Sequence, residues 1–208
     1  MTGQSGSRGM LIDEFLPYFD ETIIEHVVID APPGAVYRTV RDMDFLSIHS
    51  PVMDAATFVR MLPDRVGRRI RRAPPPPRPP AMRLADLFEG PVESDVPEGW
   101  VPLGEKASRE LVFGGVGKVW QPQIEWNTVP PDEFAAFAEP GFAKIAAGFS
   151  MRSYGKARTL LSYEARTAGT DGESRRMFRR YWWLVRIFVG VVLRAALRTA
   201  KDLAEPVR

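Results

Sequence analysis

β-branched and apolar residues dominate Glu21 to Asp30 (ETIIEHVVID), which reads as a strand. Side chains alternate across a strand, so Ile23, Glu25, Val27 and Ile29 share one face and Ile24, His26 and Val28 the other. The first set is read as inward. Ala31-Pro32-Pro33-Gly34 stops the strand, because proline has no N–H to give the ladder. Asp30 or a neighbour is placed to cap a helix over Pro32 to Met43, with Val36, Thr39, Val40 and Met43 on one face. A second helical region is expected between Asp44 and Leu62, interrupted near Ser50-Pro51. Ahead of the strand, Leu11, Ile12, Phe15, Leu16 and Phe19 fall at helical spacing, and Pro17 limits how far that helix runs.

From Gly99 to Thr167 the pattern shortens into strands punctuated by glycine. Trp100–Gly104, Ser108–Val116, Lys118–Trp126, Phe142–Tyr154 and Ala157–Thr167 are the expected strands, and short connections make neighbours antiparallel. Tyr154-Gly155-Lys156 and Gly114-Gly115-Val116-Gly117 read as hairpin or bulge signals. Arg83 to Phe88 is expected to add a further strand.

Glu173 to Ala204 reads as one helix, about 45 Å long at 1.5 Å per residue. Met177, Tyr181, Leu184, Phe188, Val191 and Ala195 recur at spacings of four and three, and Trp182, Val185, Val189 and Val192 widen the stripe. Its Tyr181–Leu197 stretch is apolar enough to suggest a membrane span. Arg186 and Arg194 inside it, each costing about 2.5 to 3.5 kcal/mol at a bilayer centre, argue against one. Arg175, Arg176, Arg179 and Arg180 leave peripheral contact with anionic headgroups open, beside the simpler reading of a solvated helix face.

Composition narrows the chemistry. The chain has 208 residues, 45% of them hydrophobic and 26% charged, and a formal charge of only +2, so no nucleic-acid partner is expected. Cysteine is absent and His26 and His49 are the only histidines, which removes disulfides, thiolate nucleophiles, and cysteine- or histidine-rich metal sites. No cofactor and no metal are expected. Met1 to Gly9 (MTGQSGSRG) is polar and lacks a secretory-signal pattern, so a disordered tail ahead of a single domain over 10–208, in the cytoplasm, is the expectation. Arg65 to Pro80 (RVGRRIRRAPPPPRPP) leads five arginines into polyproline, giving an Arg/Pro-rich insertion at about 63–81. It reads as an exposed connector or as a PxxP ligand for a protein partner.

The order strand, two short helices, antiparallel strands, long amphipathic helix resembles that of START/polyketide-cyclase-like (SRPBCC) proteins. Val27 to Tyr37 (VVIDAPPGAVY) is similar to their first-strand signature. The resemblance covers most of residues 20 to 204, the Arg/Pro-rich insertion being the departure. It implies an α+β helix-grip fold, in which a curved antiparallel sheet carries two short helices after strand 1 and one long C-terminal helix packed across it. It also implies a cavity between sheet and helix for a hydrophobic small molecule such as a lipid or polyketide. Its members bind such ligands, catalyse cyclisation or dehydration, or act through partners, so the resemblance implies binding, transport or sequestration more directly than a reaction. A cyclase/dehydratase-type enzyme and a partner-binding module acting through Arg65–Pro80 are the alternatives.

Period-two alternation nominates the lining. Glu25 and Val27 come from the first strand, Trp100, Phe113, Trp120, Ile145, Phe149 and Tyr163 from the later ones, and Tyr181, Trp182 and Val185 from the helix. Ala143, Ala147 and Gly148 leave room beside the aromatics, or else reflect tight helix-on-sheet packing. Tyr163 and Tyr181 can donate to a ligand carbonyl, and Arg109 or Arg152 can meet a carboxylate. No catalytic residue is nominated. Glu25 and His26 point to opposite faces, no Gly-x-Ser-x-Gly elbow accompanies His49, and the glycines before Lys118 lack phosphate-loop spacing.

Overall fold

A computed structural model of the chain describes residues 9–45, 83–89, 99–121 and 123–205. The expected tail over 1–8, the second helix beyond Phe45 and the Arg/Pro-rich insertion lie outside the described residues. A short helix α1 (Ile12–Phe15) ends before Pro17, and strand β1 (Glu21–Ile29) follows. Next come helices α2 (Pro33–Asp42) and α3 (Leu84–Glu89). Strands β2 (Trp100–Lys106), β3 (Glu110–Lys118), β4 (Glu125–Asn127), β5 (Ala143–Ser153) and β6 (Thr159–Gly169) precede helix α4 (Gly172–Ala204).

The strands form one antiparallel sheet in the order β1-β6-β5-β3-β2, with β4 paired to β3. Helix α4 lies against one face, mostly over β1 and β6, and this sheet with a long C-terminal helix across it is the α+β helix-grip architecture. Its 33 residues make it about 50 Å long.

Both faces are covered. Over the helix side, Ile29, Leu111, Phe113, Ala147, Phe149, Met151, Leu161 and Tyr163 pack against α2, α3 and the C-terminal half of α4. On the opposite face Leu11, Ile12 and Leu16 of the N-terminal segment meet Leu103, Val112, Val116, Phe134 and Ala146. Arg166 ties that segment down from a buried position, pairing with Glu164 at 2.6 Å and Asp13 at 2.7 Å and donating to the Leu16 carbonyl. Burial in low dielectric strengthens such charge-assisted bonds and makes loss of one partner costly.

Several expectations are corrected. Arg83–Phe88 is not a strand: Leu84–Glu89 is helical, with Leu84 and Leu87, three residues apart, buried on one face. Gly114 to Gly117 forms no hairpin or bulge but lies inside β3, paired with β5 on one side and on the other with β2 at Gly114 and Gly115 and with β4 at Val116 and Gly117. Lys118–Trp126 is not one strand: Lys118 ends β3, a turn follows, and among the described residues only Glu125 and Trp126 of the remainder are strand, in β4. The α2 N-cap falls on Pro32, not on Asp30, with no side-chain capping bond. On α4 the buried stripe is Ser174, Phe178, Gly190, Leu193, Ala196, Leu197 and Ala200, whereas Leu184 and Phe188 are 62% and 41% exposed. The apolar sector is too wide to fix its own centre. Gly190, Ala196 and Ala200 decide the rotation, since small side chains let the helix approach the sheet.

Candidate functional site

The register aligns the helix-facing side chains in rows. One row runs Glu25, Tyr163, Phe149, Leu111 across β1, β6, β5 and β3. The next runs Ile23, Ala165, Ala147, Phe113, and its two alanines lie low between bulkier neighbours. A third runs Glu21, Thr167, Ile145, Gly115, Trp100. This confirms that Ile23, Glu25, Val27 and Ile29 face α4.

Across these rows the aromatic rings touch in an unbroken series. Trp126 meets Trp100 at 5.9 Å between centroids, Trp100 meets Phe113 at 5.6 Å, and Phe113 meets Tyr163 at 6.5 Å. Tyr163 stacks on Phe149 at 4.0 Å, and Phe149 meets Phe45 at 6.0 Å. The wall is buried at its centre and half-buried at its Trp100–Trp126 end. Glycine makes that end possible: a Cβ at Gly99, where φ is +85°, would lie 2.5 Å from Trp126, and one at Gly117 would lie 2.9 Å from it. The indole therefore rests flat on bare backbone.

Tyr163 is the polar point of the wall. It is 8% exposed, and its hydroxyl has no hydrogen-bond partner among the described residues. Burial raises its pKa, because the phenolate would be desolvated. Among the described residues the Tyr163 oxygen is not one of the fully buried unpaired atoms, so the hydroxyl keeps an accessible side and is free to meet a donor or acceptor that binds.

A groove of about 640 Å³ opens between β1 and α4, lined by Ile23, Glu25, Trp182, Ile187, Gly190 and Arg194 among others. Glu25 pairs with Arg194 across it, and directly across the β1–β6 ladder Glu25 faces Tyr163. The helix above is pinned at both ends. Asp171 caps its start, accepting from the Glu173, Ser174 and Gly141 N–H groups, and these bonds hold its carboxyl down at about 2. At the far end Lys201 donates to the Val28 carbonyl at 3.0 Å, and the Asp30 N–H donates to Glu205 at 2.9 Å.

The nominated residues thus fall into three groups. Val27, Trp100, Phe113, Phe149 and Tyr163 belong to the wall and its core. Trp120, Ile145, Tyr181 and Trp182 gather instead around Phe178, Val119 and Ala143 beneath the first half of α4. Glu25 lines the groove, and Val185 is half-buried on the helix. Gly148 leaves no room for a ligand: it faces the opposite side, where a Cβ would come within 2.9 Å of the Leu111 carbonyl oxygen. Arg109 and Arg152 are exposed, the first in the β2–β3 turn and the second on the face away from α4. Trp126 and Phe45 belong to the wall but were not among its nominated residues. The glycines around Gly115 were the signal for Trp126, and the α2 continuation alone gave none for Phe45.

No family model and no curated protein matches the sequence. Similar solved structures include the Zhui aromatase/cyclase from Streptomyces sp. R1128, 15% identical, covering 88% of this chain and 93% of that one with a TM-score of 0.29. A hypothetical protein, jhp0584 from Helicobacter pylori, is 11% identical, covers 99% of both chains and has a TM-score of 0.39. Protein CV1439 from Chromobacterium violaceum is 13% identical, covers 90% of this chain and 100% of that one, and has a TM-score of 0.36.

Proposed function

We propose that the protein binds an apolar small molecule of the lipid or polyketide class between its sheet and C-terminal helix, by way of the groove beside β1. The observation that carries this reading is Tyr163, whose ring is packed into an aromatic wall while its hydroxyl has no hydrogen-bond partner among the described residues and is not fully buried. Aromatic and aliphatic surface supplies affinity for apolar carbon, and one unpaired hydroxyl selects a ligand that carries a carbonyl or hydroxyl oxygen. Ile23 and Trp182 offer apolar surface in the groove, while the Glu25–Arg194 pair marks its polar side.

Mass spectrometry of the purified protein should find a retained apolar molecule, and lipids, sterols or aromatic polyketides should raise the melting temperature. Tyr163→Phe should weaken that ligand by about five- to tenfold, the loss of one hydrogen bond. A protein with no retained molecule and no thermal shift across all three classes refutes the proposal. A second reading, a cyclase or dehydratase, draws on the same pairing of Tyr163 with Glu25 across the strands, an acid beside a carboxylate. It requires turnover of a bound polyketide that disappears in Tyr163→Phe while binding persists.

A further inference from the structure

The outer face of α4 is unusual for a helix bathed in water. Trp183, Leu184, Ile187 and Phe188 are 73%, 62%, 66% and 41% exposed, and they form one contiguous apolar patch over two turns. Isolated exposed apolar residues are ordinary, but a cluster of four large ones marks a contact surface. The charge on the helix itself has a single sign over this stretch: no aspartate or glutamate occurs from Ser174 to Lys201, whereas Arg176, Arg179, Arg180, Arg186 and Arg198 are all exposed, and the nearby carboxylates Glu21 and Glu25 lie in the groove beside β1, Glu25 paired with Arg194. Arg176, Arg180, Trp183 and Ile187 follow at spacings of four, three and four, so cations and apolar anchors share one line along the helix.

We infer that this face docks the protein on an anionic phospholipid surface, with α4 lying in the interface plane. The helix carries the chemistry that recognises such a surface. Indole and aliphatic side chains insert below the headgroups, and arginines one turn away meet the phosphates. A protein partner or a second copy would find the same apolar patch. The positive charge of α4 between Ser174 and Lys201 favours the bilayer over a second copy of this chain, which would bring the same cations against themselves. The helix also keeps its fold without the membrane, because its opposite stripe is already packed on the sheet. Among the described residues no helix is long and apolar enough to cross a bilayer, which is consistent with lying on one. Ile187 belongs both to this patch and to the groove beside β1, so the docked helix would place that opening at the lipid surface. The inference stands independently of whether the groove takes a ligand.

The test is co-sedimentation of the full chain with vesicles of phosphatidylcholine and phosphatidylglycerol in equal parts, against vesicles of phosphatidylcholine alone. The expected result is strong binding to the anionic vesicles only, weakening as salt is raised. Trp183→Ser combined with Leu184→Ser should lower the partition coefficient at least about tenfold, as loss of two inserted side chains implies. Arg176→Glu combined with Arg180→Glu should lower it similarly. Both pairs are exposed and off the groove lining, so melting temperature and any small-molecule binding should be unchanged. Absence of vesicle binding overturns the inference, as does binding that ignores salt or either double substitution. A dimer in solution that Trp183→Ser with Leu184→Ser dissociates, without vesicle binding, assigns the face to a second copy instead.

Discussion

At the scale of single residues, Tyr163 and Gly115 carry opposite lessons. Tyr163 holds an unpaired hydroxyl, so Tyr163→Phe should leave stability near neutral pH within about 0.5 kcal/mol of the parent by chemical denaturation. Its raised pKa sets a sign: the native state holds the phenol neutral while the unfolded chain ionises near pH 10. Stability contributed by this group is therefore present below about pH 10 and lost as pH rises above it, and Tyr163→Phe should flatten that alkaline fall. Gly115 has no side chain because there is no space for one: a Cβ would lie 2.6 Å from the Gly99 carbonyl oxygen and 3.1 Å from Trp126. Gly115→Ala should cost about 1–3 kcal/mol in denaturant titration and shift the Trp126 fluorescence, since backbone or indole must move.

At the scale of elements, α4 is held by its ends more than by its middle. Asp171 accepts at both carboxylate oxygens, so Asp171→Ala should lower the melting temperature. The carboxyl is depressed to about 2 in the folded chain, against about 4 when unfolded. Its contribution is complete above about pH 4 and vanishes as pH falls toward 2, so the variant should lose less stability than the parent across that interval. Amphipathic spacing made the existence of α4 and nearly its exact span legible. Its rotation was not, because Leu184, Phe188 and Val191 look as hydrophobic as Phe178, Val189 and Leu193. The alanines at 196 and 200 settle which set packs, through distance of approach rather than hydropathy.

At the scale of the whole molecule, Arg166 joins the N-terminal segment to the sheet's second face. Arg166→Leu should strand Glu164, whose side chain is only 10% exposed, and cost about 3–5 kcal/mol. Limited proteolysis should then cut between Gly9 and Asp20, where the parent resists. Adding Glu164→Leu should recover part of the loss, because a buried pair replaced by apolar residues no longer leaves a lone charge. Strand periodicity gave no sign of this second layer: Ser150, Ser162, Glu164 and Arg166 on the far face are polar, yet all are buried.

What the sequence determined by itself is local and periodic. A β-branched run made β1, alternation between glycine-bearing turns made β5 and β6, proline closed β1, and a long apolar stripe made α4, because these depend on spacings of two or about 3.6 along one segment. The inward face of β1 also followed from alternation. The tertiary structure alone decided which stripe of α4 packs, that Gly114–Gly117 sits inside a strand beneath its neighbours, and that Trp126 completes a wall begun by Trp100. Each of these turns on a distance between segments far apart in the chain: how close two backbones come, and which side chain fills the space between them. That is also why the candidate site is only half legible. The rings were visible as residues, but their contact across five strands is a property of register.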